Sequence, residues 1–206
     1  GMDCAGEAGD LLRAAFALDG LGRLEFDVGQ PNEALKLFQL GAASARSPLA
    51  RSRLEFDCAY ALGLLGMAEE ALAALRRAHD SHQAASDEPR PWEHFATAVP
   101  HIEGCTYFAL GRFDRATLAL SAAVKGAGHA VTCAVNNSGL LAAAQLRGGE
   151  LRSGLQTAAR VIELARRLRS VPVRDGLGPL QEAAAARRDS ACQDLAREVA
   201  ILRHAA

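Results

Sequence analysis

The chain has 206 residues, half of them hydrophobic, with 5% aromatic residues and a formal net charge of -1. Its apolar mass is mostly Ala and Leu, which favours helices over strands, and the balanced charge argues against nucleic-acid binding by the chain as a whole. Charged residues interrupt every long apolar stretch, against a membrane anchor or signal peptide, and the scattered Cys4, Cys58, Cys105, Cys133 and Cys192 form no CxxC pair and read as reduced, cytoplasmic thiols.

Helical periodicity and breaker residues predict ten helices, near residues 9–28, 31–46, 48–65, 68–83, 91–110, 113–125, 129–147, 150–168, 172–187 and 189–204. Gly1 ahead of Met2 reads as the remnant of a cleaved tag. The first helix stops at Gly29 and the third starts at Ser47-Pro48. After the fourth, the stretch 81–91 carries Ser, Asp and two prolines and reads as an exposed loop. Pro91-Trp92-Glu93 then opens the fifth helix, and Val171-Pro172 opens the ninth. Asn136-Asn137 lie inside the seventh; two such poor helix formers in a row signal a local role, a kink or a late helix start near Ser138.

A repeat runs through these elements. Gly29/Ala34, Gly66/Ala71, Gly111/Ala116 and Gly149/Gly154 each place a small residue five positions after a glycine. The glycine ends one helix in a permissive conformation, and the small residue lets the next helix approach closely. Four residues later stand Phe38, Leu75 and Leu120; the fourth copy has Ala158, so its packing must differ. A weaker fifth copy, RRDSACQDLA, has Cys192 at the small position. The four glycines are 37, 45 and 38 residues apart.

These segments resemble tetratricopeptide repeats (TPR), helical hairpins of about 34 residues that stack into a superhelix. Leu18, Leu21, Gly22, Gly29, Ala34 and Phe38 carry the likeness in the first copy. Ala59, Leu62, Gly66, Ala71, Leu75 and Ala78 carry it in the second, and Gly104, Tyr107, Gly111, Ala116, Leu120 and Ala123 in the third. The fold expected is an all-α superhelix of about five antiparallel hairpins in a single domain over 1–206, with repeats near 9–46, 48–83, 91–125, 129–168 and 172–204. The tail LRSVPVRDGLGPLQEAAAARRDSACQDLAREVA is similar to the C-terminal end of actinobacterial helix-turn-helix transcription regulators, in which a repeat region senses a ligand or partner. No DNA-binding helix-turn-helix is recognisable here, which leaves a truncated regulator or a stand-alone relative.

The resemblance implies that the first helix of each hairpin lines a concave groove. Its register turns inward Asp19, Arg23, Phe26 and Asp27, then Arg53, Phe56, Asp57 and Tyr60, then His101, Cys105 and Phe108, then Asn136, Ala143 and Arg147. From these the expected ligand-binding set is Arg23, Phe26, Arg53, Phe56, Tyr60, His101, Cys105, Asn136 and Arg147. Such residues suit a peptide: amides bond to its backbone, Arg pairs with carboxylates and rings bury side chains. The clamp that some family members use for C-terminal carboxylates is not matched, since its positions hold Asp19, Arg23, Asp57, Ala98 and Ile102.

Other chemistry has little support. His101/Cys105 and His129/Cys133 are each four apart and His79/His82 three apart, which puts two potential ligands on one helix face. A metal needs a third ligand at the same height, and the two His/Cys pairs stand on the order of 15 Å apart along a helix. No GxSxG, HExxH, P-loop or GxGxxG context is present. The Arg-rich stretches 46–53 and 160–169 read as solvated faces and helix C-terminal charges. The sequence therefore predicts a non-enzymatic cytoplasmic module without cofactor or metal. Its expected role is to bind a protein or peptide in the groove as the sensor region of a transcription regulator. The alternative is a self-associating scaffold, with a homodimer formed through the tail.

Overall fold

The computed structural model describes residues 2–85, 93–128, 130–168 and 170–204, with side chains from residue 13 in the first stretch and from residue 98 in the second. The chain divides into two compact units, residues 1–96 and 97–206, where the sequence predicts one domain. Every regular element among the described residues is a helix.

The first unit holds α1 (Met2–Asp27), α2 (Pro31–Ser44), α3 (Pro48–Leu64) and α4 (Ala68–Ala84). They pair as the hairpins α1/α2 and α3/α4, with α2 and α1 packed on α3. Ser47 caps α3 by accepting a hydrogen bond from the Ala50 amide at 3.2 Å, and Pro48 fills the first turn, where no backbone donor is required. Inside, Phe38 and Phe56 are fully buried, as are the small Ala34, Ala59, Ala61, Ala71, Ala74 and Ala78. These small side chains let the helices close on two large rings. The closest approach is at Gly22, where a Cβ would lie 2.3 Å from the Phe38 ring.

The second unit holds all but the first turn of α5 (Glu93–Ala109), with α6 (Phe113–Gly126), α7 (Val131–Arg147), α8 (Leu151–Leu168), α9 (Val171–Asp175), α10 (Gly178–Ala185) and α11 (Ser190–His204). Gly104 of α5 admits Leu120 of α6, which would stand 2.5 Å from an added Cβ. The α7/α8 hairpin inverts this arrangement: the small residue is Gly154 of α8, and the large one is Leu146 of α7, 2.7 Å from the Cβ position. That inversion explains how Ala158 can occupy the large position of the fourth copy. Val135, Val161, Val173, Leu177, Leu180 and Val199 complete a core shared by α7 through α11.

The repeated glycines behave as expected. Gly29, Gly66, Gly111 and Gly149 have φ of 76°, 74°, 70° and 89°. Each turn makes the same pair of bonds, shown by Gly29 N–H to Phe26 carbonyl at 3.0 Å and Gln30 N–H to Glu25 carbonyl at 2.8 Å. The small residue of each copy (Ala34, Ala71, Ala116, Gly154) then donates the first amide bond of the next helix, to the carbonyl of the residue after the glycine.

Two expectations need correction. The ninth helix, predicted over 172–187, is broken into α9 and α10, because Pro179 would clash with the carbonyl of Asp175 in a continuous helix. A helix start near Ser138 is also wrong: α7 runs unbroken through Asn136 and Asn137. Of the loop expected at 81–91, residues 81–84 belong to α4, and 86–92, including Pro91-Trp92, lie outside the described residues.

Candidate functional site

In the first unit, α1 and α3 lie side by side and bring together most of the inward residues read from the sequence. Asp57 is buried and accepts hydrogen bonds from two guanidiniums: Arg23 Nη2 stands 3.1 Å from both of its oxygens, and Arg53 Nε 3.0 Å from one. Arg23 Nε reaches Asp19 at 3.3 Å, and Arg53 Nε lies 3.7 Å from the other Asp19 oxygen. Two carboxyls and two guanidiniums thus tie α1 to α3. Burial pushes the Asp57 carboxyl well above the usual carboxylate range; the Arg23 charge pulls it down and Asp19 pushes it up. Burial would lower the Arg23 guanidinium, but Asp57 and Asp19 outweigh it and hold it raised.

Three residues further along α1 and α3 the surface is aromatic. Phe26 lies 5.2 Å, centre to centre, from both Tyr60 and the buried Phe38. Phe26 and Tyr60 are themselves half-buried, so each shows part of a ring beside the charged network. Arg23 is 43% exposed, and its Nη1 makes no hydrogen bond among the described residues. The face thus offers an outward guanidinium edge next to two ring surfaces.

Phe56 does not belong to this surface. It is fully buried and meets His79 of α4 edge to face at 5.1 Å. One turn earlier, Ser52 donates to the Ala78 carbonyl at 2.9 Å, which marks the same side of α3 as the face against α4. Phe56 is adjacent to Asp57 in sequence, but about 100° away around the helix. Cys58 is also buried, and burial raises its thiol, disfavouring the reactive thiolate.

The four expected site residues of the second unit have separate surroundings. His101 and Cys105 touch on one face of α5, Nε2 to Sγ at 3.5 Å, with Cys105 buried. Asn136 sits near the start of α7, its Oδ1 3.0 Å from the Cβ position of Gly176 at the α9–α10 break. That glycine leaves the space the amide fills, which gives Asn136 a packing role in the break. Asn137 is buried. Arg147, at the far end of α7, is exposed and stacks over the Phe113 ring at 5.4 Å.

Among the described residues, no group of three or more His, Cys, Asp or Glu side chains is placed to hold a metal ion; His129 lies outside them. No described helix is long and apolar enough to cross a membrane. Several arginines of the basic stretches have partners of their own: Arg51 donates to the Ala45 carbonyl, Arg166 pairs with Glu198 and Arg167 with Glu163.

Sequence reasoning placed Asp19 and Asp57 on the inner face but left both out of the binding set. The signal was there. An Asp–Arg pair four apart on each of two neighbouring first helices, Asp19/Arg23 and Arg53/Asp57, can close into a four-membered network.

No protein-family model matches the sequence, and no curated protein is significantly similar to it. Among solved structures, the chain is similar to the nearly identical TPR-like repeats of a kinesin-light-chain-like protein from Podosopora anserina (TM-score 0.62, 18% identity, covering 94% of this chain and 96% of that one). It is also similar to a single-substitution form of the same protein (TM-score 0.63, 19% identity, covering 94% and 95%). At these identities the shared property is the fold, an all-α TPR-like repeat.

Proposed function

We propose that this chain is a protein- or peptide-binding module whose recognition surface includes the α1–α3 face of the first unit. The observation that carries the reading is the juxtaposition there of a fixed charge network and two half-exposed rings. Arg23 and Arg53 are held by Asp19 and Asp57, so little side-chain entropy remains to be lost on binding. Phe26 and Tyr60 offer ring faces for an apolar side chain, and the outward edge of Arg23 can donate to a main-chain carbonyl of the ligand. Both arginines are already neutralised by aspartates, so the surface favours a peptide read through its backbone and one apolar anchor over a highly acidic one. His101, Cys105, Asn136 and Arg147 remain secondary candidates.

In this reading the chain is non-enzymatic and works in the cytoplasm, a setting that suits the thiols Cys58, Cys133 and Cys192. The resemblance of its tail to helix-turn-helix regulators supports a role as the sensor region of such a protein.

The test begins with peptides selected from a random display library on the purified chain. Their affinities are then measured by calorimetry for the wild type and for Phe26→Ala and Tyr60→Ala. Removing a central aromatic anchor should cost about 2 kcal/mol, some thirtyfold in Kd, with the helical circular-dichroism signal unchanged. Equal affinity for both variants, or no selectable peptide, would remove the support for this surface.

A further inference from the structure

On the side of α1 away from Asp19 and Arg23 lies a second surface. Ala14, Ala17, Leu21, Leu24 and Val28 recur at alternating spacings of three and four, the a/d pattern of a coiled-coil seam. All five are exposed; Leu21 is 51%, Leu24 60% and Val28 69% accessible. Isolated exposed apolar residues are ordinary, but a continuous stripe on one helix is not.

The repeat register shows what such positions do elsewhere. In α3, Leu54, Cys58 and Ala61 stand where Ala17, Leu21 and Leu24 stand in α1, and all three are buried, Leu54 against Gly41 of α2. In α7, Leu141 and Ala144 hold the Leu21 and Leu24 positions and pack on Ala116 and Leu120 of α6. The same slot is thus filled by a neighbouring helix in α3 and α7 and left open in α1.

We propose that the outer face of α1 is a self-association surface, through which two copies of this chain pair their α1 helices antiparallel along Ala14, Ala17, Leu21 and Leu24. The face is self-complementary in size. Its small residues lie toward the N-terminus and its large ones toward the C-terminus, so antiparallel pairing sets Leu24 against the partner's Ala14 and Leu21 against the partner's Ala17. Parallel pairing would set like sizes together. It is also complementary in charge: Arg13 and Asp27 flank the two ends of the stripe on one side, and antiparallel pairing brings Arg13 beside the partner's Asp27. Such an isologous contact closes with two copies.

Sedimentation equilibrium of the full chain across a wide concentration range tests this. The expected result is a monomer–dimer equilibrium that Leu21→Glu/Leu24→Glu shifts to monomer, weakening association by at least about tenfold with the helical signal intact. Ile201→Glu, on exposed α11, should leave the dimer unchanged. Asp27→Arg should weaken the dimer, and Arg13→Asp/Asp27→Arg should restore it, a recovery that a folding defect would not produce. A chain that stays monomeric at every concentration, a dimer that survives Leu21→Glu/Leu24→Glu, or failure of the charge exchange to restore it would overturn the proposal. Peptide binding at Phe26 and Tyr60 lies on another face of α1 and is measured separately, so either reading can fail alone.

Discussion

Asp57 lies between two guanidiniums, nearly out of contact with water, and accepts hydrogen bonds from both Arg23 and Arg53. Removing it leaves two cations sharing the single carboxyl of Asp19. Breaking a buried ion pair by deleting one partner costs far more than losing an exposed pair, because the surviving charge keeps its desolvation penalty. Asp57→Ala should therefore destabilise the chain by about 3 kcal/mol in urea unfolding. Asp57→Asn, which keeps an acceptor in place, should cost less. A loss for Asp57→Ala near the ~0.5 kcal/mol typical of exposed pairs would show that the network contributes no more than a surface salt bridge. The carboxyls that fix the arginines were readable in the sequence as spacings; that Asp57 rather than an arginine is the buried hub was not. Burial at that position depends on α1 covering α3, a contact between residues 34 apart in the chain. Phe56 was misread for a related reason. An aromatic residue next to an inward aspartate reads as part of one face, and only the packing of α4 on Ser52 and Phe56 shows which side of α3 it takes.

At the scale of the element, the hairpins depend on paired small and large residues at the crossing. Gly20 and Gly22 stand two apart in α1, with the same helical propensity but opposite surroundings. A Cβ at Gly22 would press on the Phe38 ring, whereas one at Gly20 meets nothing within 4 Å. Gly22→Ala should thus lower stability by about 1–3 kcal/mol through overpacking. Gly20→Ala should raise it by about 0.5–1 kcal/mol, the ordinary gain of Ala over Gly inside a helix. Thermal and urea unfolding of the two variants, compared with wild type, checks both signs; equal effects would mean that propensity rather than close approach decides. The glycine-ended helices were legible because the left-handed turn imposes a residue type. The break between α9 and α10 was also written in the sequence, at Gly178-Pro179, but Pro100 stands inside a continuous α5. A proline thus breaks one helix here and not another, and the choice is made by tertiary packing, here the close fit of Gly176 against Asn136 and the burial of Leu177.

Across the whole molecule, a TPR-like fold persists at 18–19% identity to the kinesin-light-chain-like structures, because it asks for classes of residue at repeated positions rather than for particular side chains. Even the size rule is negotiable, as the exchange of large and small residues between α7 and α8 shows. The same tolerance explains why the repeat was readable while a ligand was not: the fold does not dictate the side chains that it leaves on its surface. The central claim is that ligand meets the α1–α3 face. It is tested most directly by backbone-amide NMR of the full chain titrated with a selected peptide. The account predicts shift changes concentrated around Arg23, Phe26, Arg53 and Tyr60. Changes confined to the second unit, with none along α1 and α3, would contradict it.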